Sequence, residues 1–561
     1  MNKNLQSFLS ILLSGAAWYL AFDLSGQFGW LLWLAPIPVL YTCYRVTAGR
    51  AFLFAFTSLL IGRLSWLPYL ISVLPMAIAI IFTVFFPLVF ALIVWVQRRV
   101  VLRRAPWISA LILPLLWTAF EFIMSRLGRD GTIGSIAYTQ SNYLPLIQLA
   151  SLTGMTGISF LLNFIPSSIA VSWFHLRQGK WRDDPQGARD PGANPHAGPT
   201  GSTRPTGPTR QGNLRAARFL ALPLGLLILV LVFGWIRLAS HPAPATEPSG
   251  QSTAASGSQA AGQILLHPAA SPIHLLLLSG AEAIYQYNVL DPRSEKEMLI
   301  ADGYLRQIDS QIRPGTDLVL LPEKAMPMND TAERSITDSF VSAARRHQVA
   351  IIGGFSRLGQ RHFDNIALVI SREGRLLADY RKVNLFEGEV MEGFSKGDTT
   401  GIFHADWPLT PAPAQPAPLP TQPSTQPAPL PSGVAICKDL DFDDFIRRYD
   451  RDKIAVLYVP AWDFEKDGWY HARVAILRGV ENGFAIVRSA RQGRLTISDP
   501  LGRVLYEASS ENGQPAALYG SLQPAPLTTL YSRWGDWFAW INLAGAFCCL
   551  LLIKRKKELR N

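Results

Sequence analysis

Cysteine is scarce in this chain, with four in 561 residues. Cys43, Cys548 and Cys549 lie inside strongly apolar segments, and Cys437 stands alone in a polar region. No disulfide can therefore form around Cys437, although oxidising compartments favour paired cysteines. Histidine is sparse too: the nine are scattered, and none sits close to another His or to a Cys. That excludes the usual metal-ligand spacings. A phosphate-cradling glycine loop is also missing, so neither nucleotide chemistry nor any cofactor is indicated. Charged residues make up only 17% of the chain, with a formal net charge of +11. Much of that excess flanks apolar runs, and it needs no nucleic acid to explain it.

The chain does hold long apolar runs. Crossing a hydrocarbon layer of ~30 Å takes roughly 20 apolar residues. Eight candidate runs occur, at about 6–24, 28–44, 51–71, 74–96, 107–125, 145–174, 217–239 and 534–553. Arg63 and several prolines interrupt the second and third. Lys3 before the first run allows a cleaved signal peptide, but the apolar runs that follow favour an uncleaved span. Arg45, Arg50, Arg98, Arg99, Arg103, Arg104, the loop from Arg177 to Arg218 and the tail Lys554–Lys557 fall on one side of an eight-span arrangement. The positive-inside rule makes that side cytoplasmic and puts the large segment of about 240–533 outside. Arg126 and Arg129 are the exceptions, since they fall in an outside loop.

Composition then divides the chain into a membrane domain over 1–174, a loop over 175–216, a seventh span over 217–239, a linker over 240–271, a domain over 272–526, a last span over 534–553 and a basic tail over 554–561. The loop and linker are too polar and Pro/Gly-rich to pack. Residues 409–432 form a proline-rich insertion inside the 272–526 domain, most simply a tolerated loop expansion. Within that domain, β-branched runs alternate with amphipathic ones. Strands are expected over 273–278, 317–321, 349–353, 366–370, 433–437, 455–459, 485–489 and 495–498, and helices over 296–312, 332–347, 442–449 and 470–482. That alternation predicts a layered α/β domain with its chemistry at strand ends.

Three residues stand at such ends. Glu323 follows Leu318–Pro322, Lys382 follows Tyr380–Arg381, and Cys437 closes Gly433–Ile436. A thiol nucleophile, a carboxylate base and an ammonium oxyanion partner suit acyl transfer. Each residue alone reads as well otherwise: Glu323 paired with Lys324, Lys382 and Arg381 as a solvated basic pair, Cys437 as an inert buried thiol. Their order and placement together carry the signal.

In that order the chain resembles the nitrilase, or carbon–nitrogen hydrolase, superfamily. His471–Arg473, Arg478–Gly483, Val487–Ser489 and Ser498–Gly502 are similar to its closing segment. Leu144–Ala150, Thr153–Phe160 and Gly535–Trp540 resemble the apolipoprotein N-acyltransferases of bacterial inner membranes. The resemblance implies a multi-span helical membrane domain plus an extracytoplasmic α-β-β-α sandwich. It also implies a two-step reaction in a monomer. Glu323 takes the thiol proton, Cys437 attacks a phospholipid ester, and Lys382 with a backbone N–H near Cys437 holds the oxyanion. The thioester then passes its acyl chain to the N-terminal amine of a diacylated lipoprotein.

Departures from the family pattern cluster near the nucleophile. Lys438 and Asp439 stand where an aromatic and an acid are usual. Lys438 could lower the thiol pKa, and Asp439 could serve as the acid. The second glutamate of the family is matched by Glu387 or Glu389, with Glu389 keeping the Gly-Glu pair. Ser279–Glu282 replaces a Gln-Gly-Asn pattern. Two other readings stay open: a membrane-tethered amidase, in which water resolves the acyl-enzyme, and a non-catalytic protein retaining the fold. A transporter is disfavoured, because paired intramembrane charges and repeated broken helices are missing.

Overall fold

The computed structural model describes residues 3–103, 106–178, 210–242, 271–280, 296–359, 362–405, 407 and 429–558. The bulk of the 175–216 loop and of the 240–271 linker, Ala281 and Glu282, positions 409–428 of the insertion and the last three residues of the tail lie outside them. The chain divides into two compact units: one of Met1–Phe122, Thr156–Phe233 and Phe538–Asn561, the other of Ile123–Met155 and Gly234–Trp537.

The first unit is helical. Among the described residues, four helices are long and apolar enough to cross a membrane: Met76–Val101, Pro106–Leu127, Met155–Arg177 and Leu214–Ser240. Ala48–Arg63 and Leu67–Val73 add a fifth if counted as one broken span, bent by 62°. The bend follows Arg63, whose buried guanidinium faces the rings of Phe22, Trp66 and Phe86 at 5.6, 4.8 and 4.6 Å. A charge there is kept by an aromatic cage. The remaining expected runs fold differently. Lys3–Ala21 carries Asn4, Gln6, Ser7, Ser10 and Ser14 and is not among the four. The second run holds a short turn, Gly29–Trp33, and the ten-residue helix Pro36–Arg45, about 15 Å long and too short to cross alone. The last holds the apolar stretch Trp537–Leu551. The 145–174 run is split at Gly154, which adopts φ +65° with the Tyr531 ring packed where a side chain would stand.

That split shifts the expected boundary at 174. Ile123–Met155, with the short helices Leu144–Ile147 and Ala150–Thr153, belongs to the second unit.

The second unit carries two sheets. The first comprises β1 (Ile273–Ser279), β2 (Leu318–Leu320), β3 (Met326–Asn329), β4 (Ala350–Leu358), β5 (Phe363–Ile370), β6 (Leu376–Arg381), β7 (Phe394–Ser395) and β14 (Ala516–Leu522), along the path β14-β1-β2-β4-β5-β6. The second comprises β8 (Gly401–Ala405), β9 (Leu430–Val434), β10 (Val456–Trp462), β11 (Ala485–Arg491), β12 (Arg494–Ser498) and β13 (Val504–Ser509), in the order β13-β12-β11-β10-β9-β8. The pairs β1–β2, β2–β4, β9–β10 and β10–β11 are parallel. Helices Lys296–Gln311 and Glu333–His347 pack on the first sheet and Gly468–Asn482 on the second, while the sheets pack on each other. The result is the α-β-β-α layering. Ile336, Phe340, Ala343 and Ala344 supply the buried stripe of Glu333–His347 at the helical period.

Local differences from the sequence expectation have physical causes. The strand before the thiol stops at Val434, and Cys437 opens a 3-10 turn, Cys437–Asp441. Its φ of +40° cannot continue a ladder. Leu430–Ser432, expected to end the proline-rich insertion, are instead the start of β9. The helix expected over 442–449 breaks into Asp443–Ile446 and the 3-10 segment Arg447–Asp452.

Candidate active site

Glu323 leaves β2 through Pro322 and is fastened by its own N–H to Ala461 O at the end of β10, 3.2 Å away. Gly354 of β4 passes so close that a Cβ would meet Pro322 O at 2.5 Å and the Glu323 Cα at 2.6 Å. Only glycine lets the two segments meet. Lys382 follows β6 and donates its N–H to Asn365 O at 2.9 Å. Its Nζ reaches Glu323 Oε1 at 2.7 Å and Glu389 Oε2 at 2.9 Å. Glu389 sits on the short helix Glu387–Met391, where its carboxylate also accepts the Phe386 N–H at 2.9 Å.

Of the two possible second glutamates, then, Glu389 faces Lys382. Glu387 instead points to Arg129 at 3.2 Å. Two further residues complete the cluster: sequence reasoning missed Asn365 and gave Lys324 only as a partner of Glu323. The Asn365 amide donates to Glu323 Oε1 and Glu389 Oε1, each at 2.6 Å. Lys324, in left-handed backbone at φ +47°, turns away from Glu323 and holds Glu389 Oε1 at 2.9 Å. In place of the alternative Glu323–Lys324 pair, the charges alternate: Glu323, Lys382, Glu389, Lys324. Burial opposes the charge on Lys382, but the two carboxylates overcome it and hold the ammonium firmly protonated. Burial likewise works against the Glu389 carboxylate, and Lys382 and Lys324 pull it well below the usual range.

The half-buried Cys437 thiol lies 3.4 Å from Trp462 O. Burial raises its pKa well above the thiol norm and the Glu323 charge adds to this, against Lys382 and Arg488. The thiol therefore rests protonated. Glu323 is the carboxylate whose charge it feels most.

Asp439 fixes the turn. Its carboxylate accepts from the Ile436 N–H at 3.0 Å, the Asn384 N–H at 2.8 Å and the Tyr380 hydroxyl at 2.6 Å. One side chain thereby ties the thiol turn to the strand that delivers Lys382. Burial pushes its pKa up to about 6 against those donors.

Lys438 behaves differently from expectation. Its ammonium is held by Asp130 Oδ1 at 2.8 Å and lies 4.0 Å from Asp441. The cations acting on the thiol are Lys382 and Arg488. Arg488 is fully buried on β11 and donates to Asp463 Oδ2 at 2.9 Å. Its signal in the sequence was an arginine inside an apolar strand, which demands a buried partner.

Residues 14–167 match the family model for the apolipoprotein N-acyltransferase N-terminal domain, and residues 283–526 match the one for carbon-nitrogen hydrolase. An apolipoprotein N-acyltransferase of Geobacter metallireducens is 26% identical, over 99% of this chain and 97% of its own. The chain belongs to the apolipoprotein N-acyltransferase family. A deaminated glutathione amidase of Synechocystis sp. is 28% identical over 37% of this chain and 80% of its own. That match is confined to a minor part of the chain, whereas the N-acyltransferase match runs from end to end. Among solved structures, Saccharomyces cerevisiae Nit3 of the nitrilase superfamily aligns with a TM-score of 0.35 and 18% identity, over 46% of this chain and 92% of its own. Family membership thus joins apolar spanning helices and a nitrilase-like α/β domain in one enzyme.

Proposed function

We propose that this protein moves a fatty acyl chain from a phospholipid, through a thioester on Cys437, to the N-terminal amine of a diacylglyceryl-cysteine lipoprotein. The observation that carries it is the Lys382 ammonium bridging Glu323 and Glu389 within electrostatic reach of the thiol. Glu323 takes the Cys437 proton as the sulfur attacks the ester carbonyl carbon. Lys382 holds the oxyanion with charge-assisted hydrogen bonding. The carbon–oxygen bond breaks, and Glu323 returns the proton to the departing lysophospholipid. In the second step Glu323 takes a proton from the acceptor amine as its nitrogen attacks the thioester. The carbon–sulfur bond breaks, and the proton passes to the thiolate.

The membrane arrangement supports this reading. If each of the four apolar helices crosses once, the segment after Leu127 and the segment after Ser240 return to one side. Those are the two pieces of the α/β unit. The opposite side carries Arg98, Arg99, Arg103 and Arg104, as a cytoplasmic face does. The site then works at the outer face of a bacterial inner membrane, where both lipid substrates can reach it.

Intact mass of the protein after incubation in phospholipid vesicles tests the proposal. A fatty-acyl adduct on Cys437 that discharges only when a diacylated lipopeptide is added is the expected result. An adduct that decays equally fast without lipopeptide means that water is the acceptor and the protein is an amidase. No adduct at all removes the mechanism.

A further inference from the structure

Beside the nucleophile turn lies a cavity of about 350 Å³ within the α/β unit. Lys438, next in sequence to Cys437, forms one wall, and Asn384, two residues past Lys382, forms another. Arg129, Asp130, Glu387 and Lys396 are at its rim. Three cations thus face two carboxylates, and each carboxylate already has a cation: Asp130 has Lys438 at 2.8 Å and Glu387 has Arg129 at 3.2 Å. The exposed Lys396 is the surplus positive charge.

We infer that this cavity binds the phosphodiester of the acyl donor, an inference that rests on the function proposed above. An exposed pair such as Arg129–Glu387 holds weakly and exchanges readily. The Arg129 side chain is 82% exposed and can turn its guanidinium fork onto phosphate oxygens. The Lys438 stem is buried, so its ammonium stays fixed at the cavity wall. In a glycerophospholipid the ester carbonyl and the phosphate are only a few bonds apart. Adjacent residues match that spacing: Cys437 for the carbonyl and Lys438 for the phosphate.

Chain order agrees with this assignment. Gly128–Asp130 directly follow Pro106–Leu127, a helix long and apolar enough to cross a membrane. The location also accounts for two basic residues that break the charge asymmetry of the loops. Arg126 bridges Asp443 and Asp536 at 2.5 and 2.6 Å. Arg129 serves the cavity. The acceptor amine carries no phosphate, so the site distinguishes donor from acceptor, which a two-step transfer through one thiol requires.

The test is a ratio of Cys437 acylation rates: from phosphatidylglycerol vesicles, over that from a para-nitrophenyl acyl ester in neutral detergent micelles. R129Q/K396Q is expected to lower that ratio at least tenfold. A ratio within twofold of wild type overturns the inference. Should that variant fail to fold, glycerophosphate added to the wild-type protein gives an independent reading. Competition against the phospholipid but not the ester supports the site, and equal or absent competition overturns it. Wild-type protein that accepts acyl chains from the ester but from no phospholipid would instead defeat the proposed function.

Discussion

Around Lys382 each buried carboxylate meets at least two side-chain donors, whereas a second buried cluster in the same unit gives its acid one. Glu323 and Glu389 share Lys382 and Asn365, and Glu389 has Lys324 in addition. Glu481 is as deeply buried, yet its partners are Arg478 at 3.1 Å and the Met155 N–H at 2.8 Å. Arg478 is itself shared with the Tyr138 hydroxyl at 3.1 Å. The contrast shows in the acids. Glu389 is held far below its usual range, while burial outweighs Arg478 and pushes Glu481 up to about 8. Lys382 and Glu389 are thereby held in their charged forms. The Glu481 cluster trades a proton near neutrality.

Deleting the chemistry of the first cluster breaks this comparison most severely. Cys437→Ser should abolish the acyl adduct in intact-mass spectra while the protein stays inserted and helical. Lys382→Met should lower the acylation rate by about 10²–10³, the effect of losing one oxyanion donor. It should also cost about 3–5 kcal/mol in urea unfolding, because two carboxylates are left buried together. Near wild-type acylation in Lys382→Met would remove the ammonium from the reaction.

Lys324→Met asks whether Glu389 needs its second cation. One charge-assisted bond is worth about 1.5–3 kcal/mol, so acylation should slow by about tenfold to a hundredfold, with partial rescue by Lys324→Arg. An unchanged rate would make Lys324 a bystander.

Asp439 predicts an acidic limb in the pH–rate profile of acylation, centred near pH 6. Protonation weakens its hold on Ile436, Asn384 and Tyr380 together. Asp439→Asn should lose that limb and run at a reduced plateau. A limb that persists unchanged assigns it to another group.

The smallest effect belongs to Glu481, and it concerns stability alone. Its folded pKa of about 8 lies above the unfolded carboxylate value. The folded state therefore binds the extra proton. Its stabilising share is complete below the unfolded pKa and is lost as pH rises through about 8. Melting temperature should fall by a few degrees across that window in wild type, and Glu481→Gln should flatten the slope.

The sequence made strand ends visible because proline and apolar runs punctuate them: Leu318–Pro322 before Glu323 reads directly as a strand meeting a turn. The lone cysteine was equally plain. Partnerships across the fold were not. Lys438 looked like a cation for its neighbouring thiol, but its partner Asp130 lies some three hundred residues earlier. No local pattern records that pairing. Asn365 was hidden for the opposite reason, since a polar residue at the margin of an apolar run reads as the edge of the strand. β14 carries Gly520 and weak alternation, and only its pairing with β1 makes it a strand.

The membership of Ile123–Met155 in the α/β unit has a practical consequence for anyone wishing to work without detergent. Excising residues 272–526 would strip Tyr138 and the Met155 N–H from Arg478 and Glu481, and Asp130 from Lys438. A buried acid and two buried cations would lose partners at once. A fragment of residues 272–526 would therefore lack contacts that the whole chain supplies. A soluble version must carry the 123–155 segment, grafted or supplied in trans.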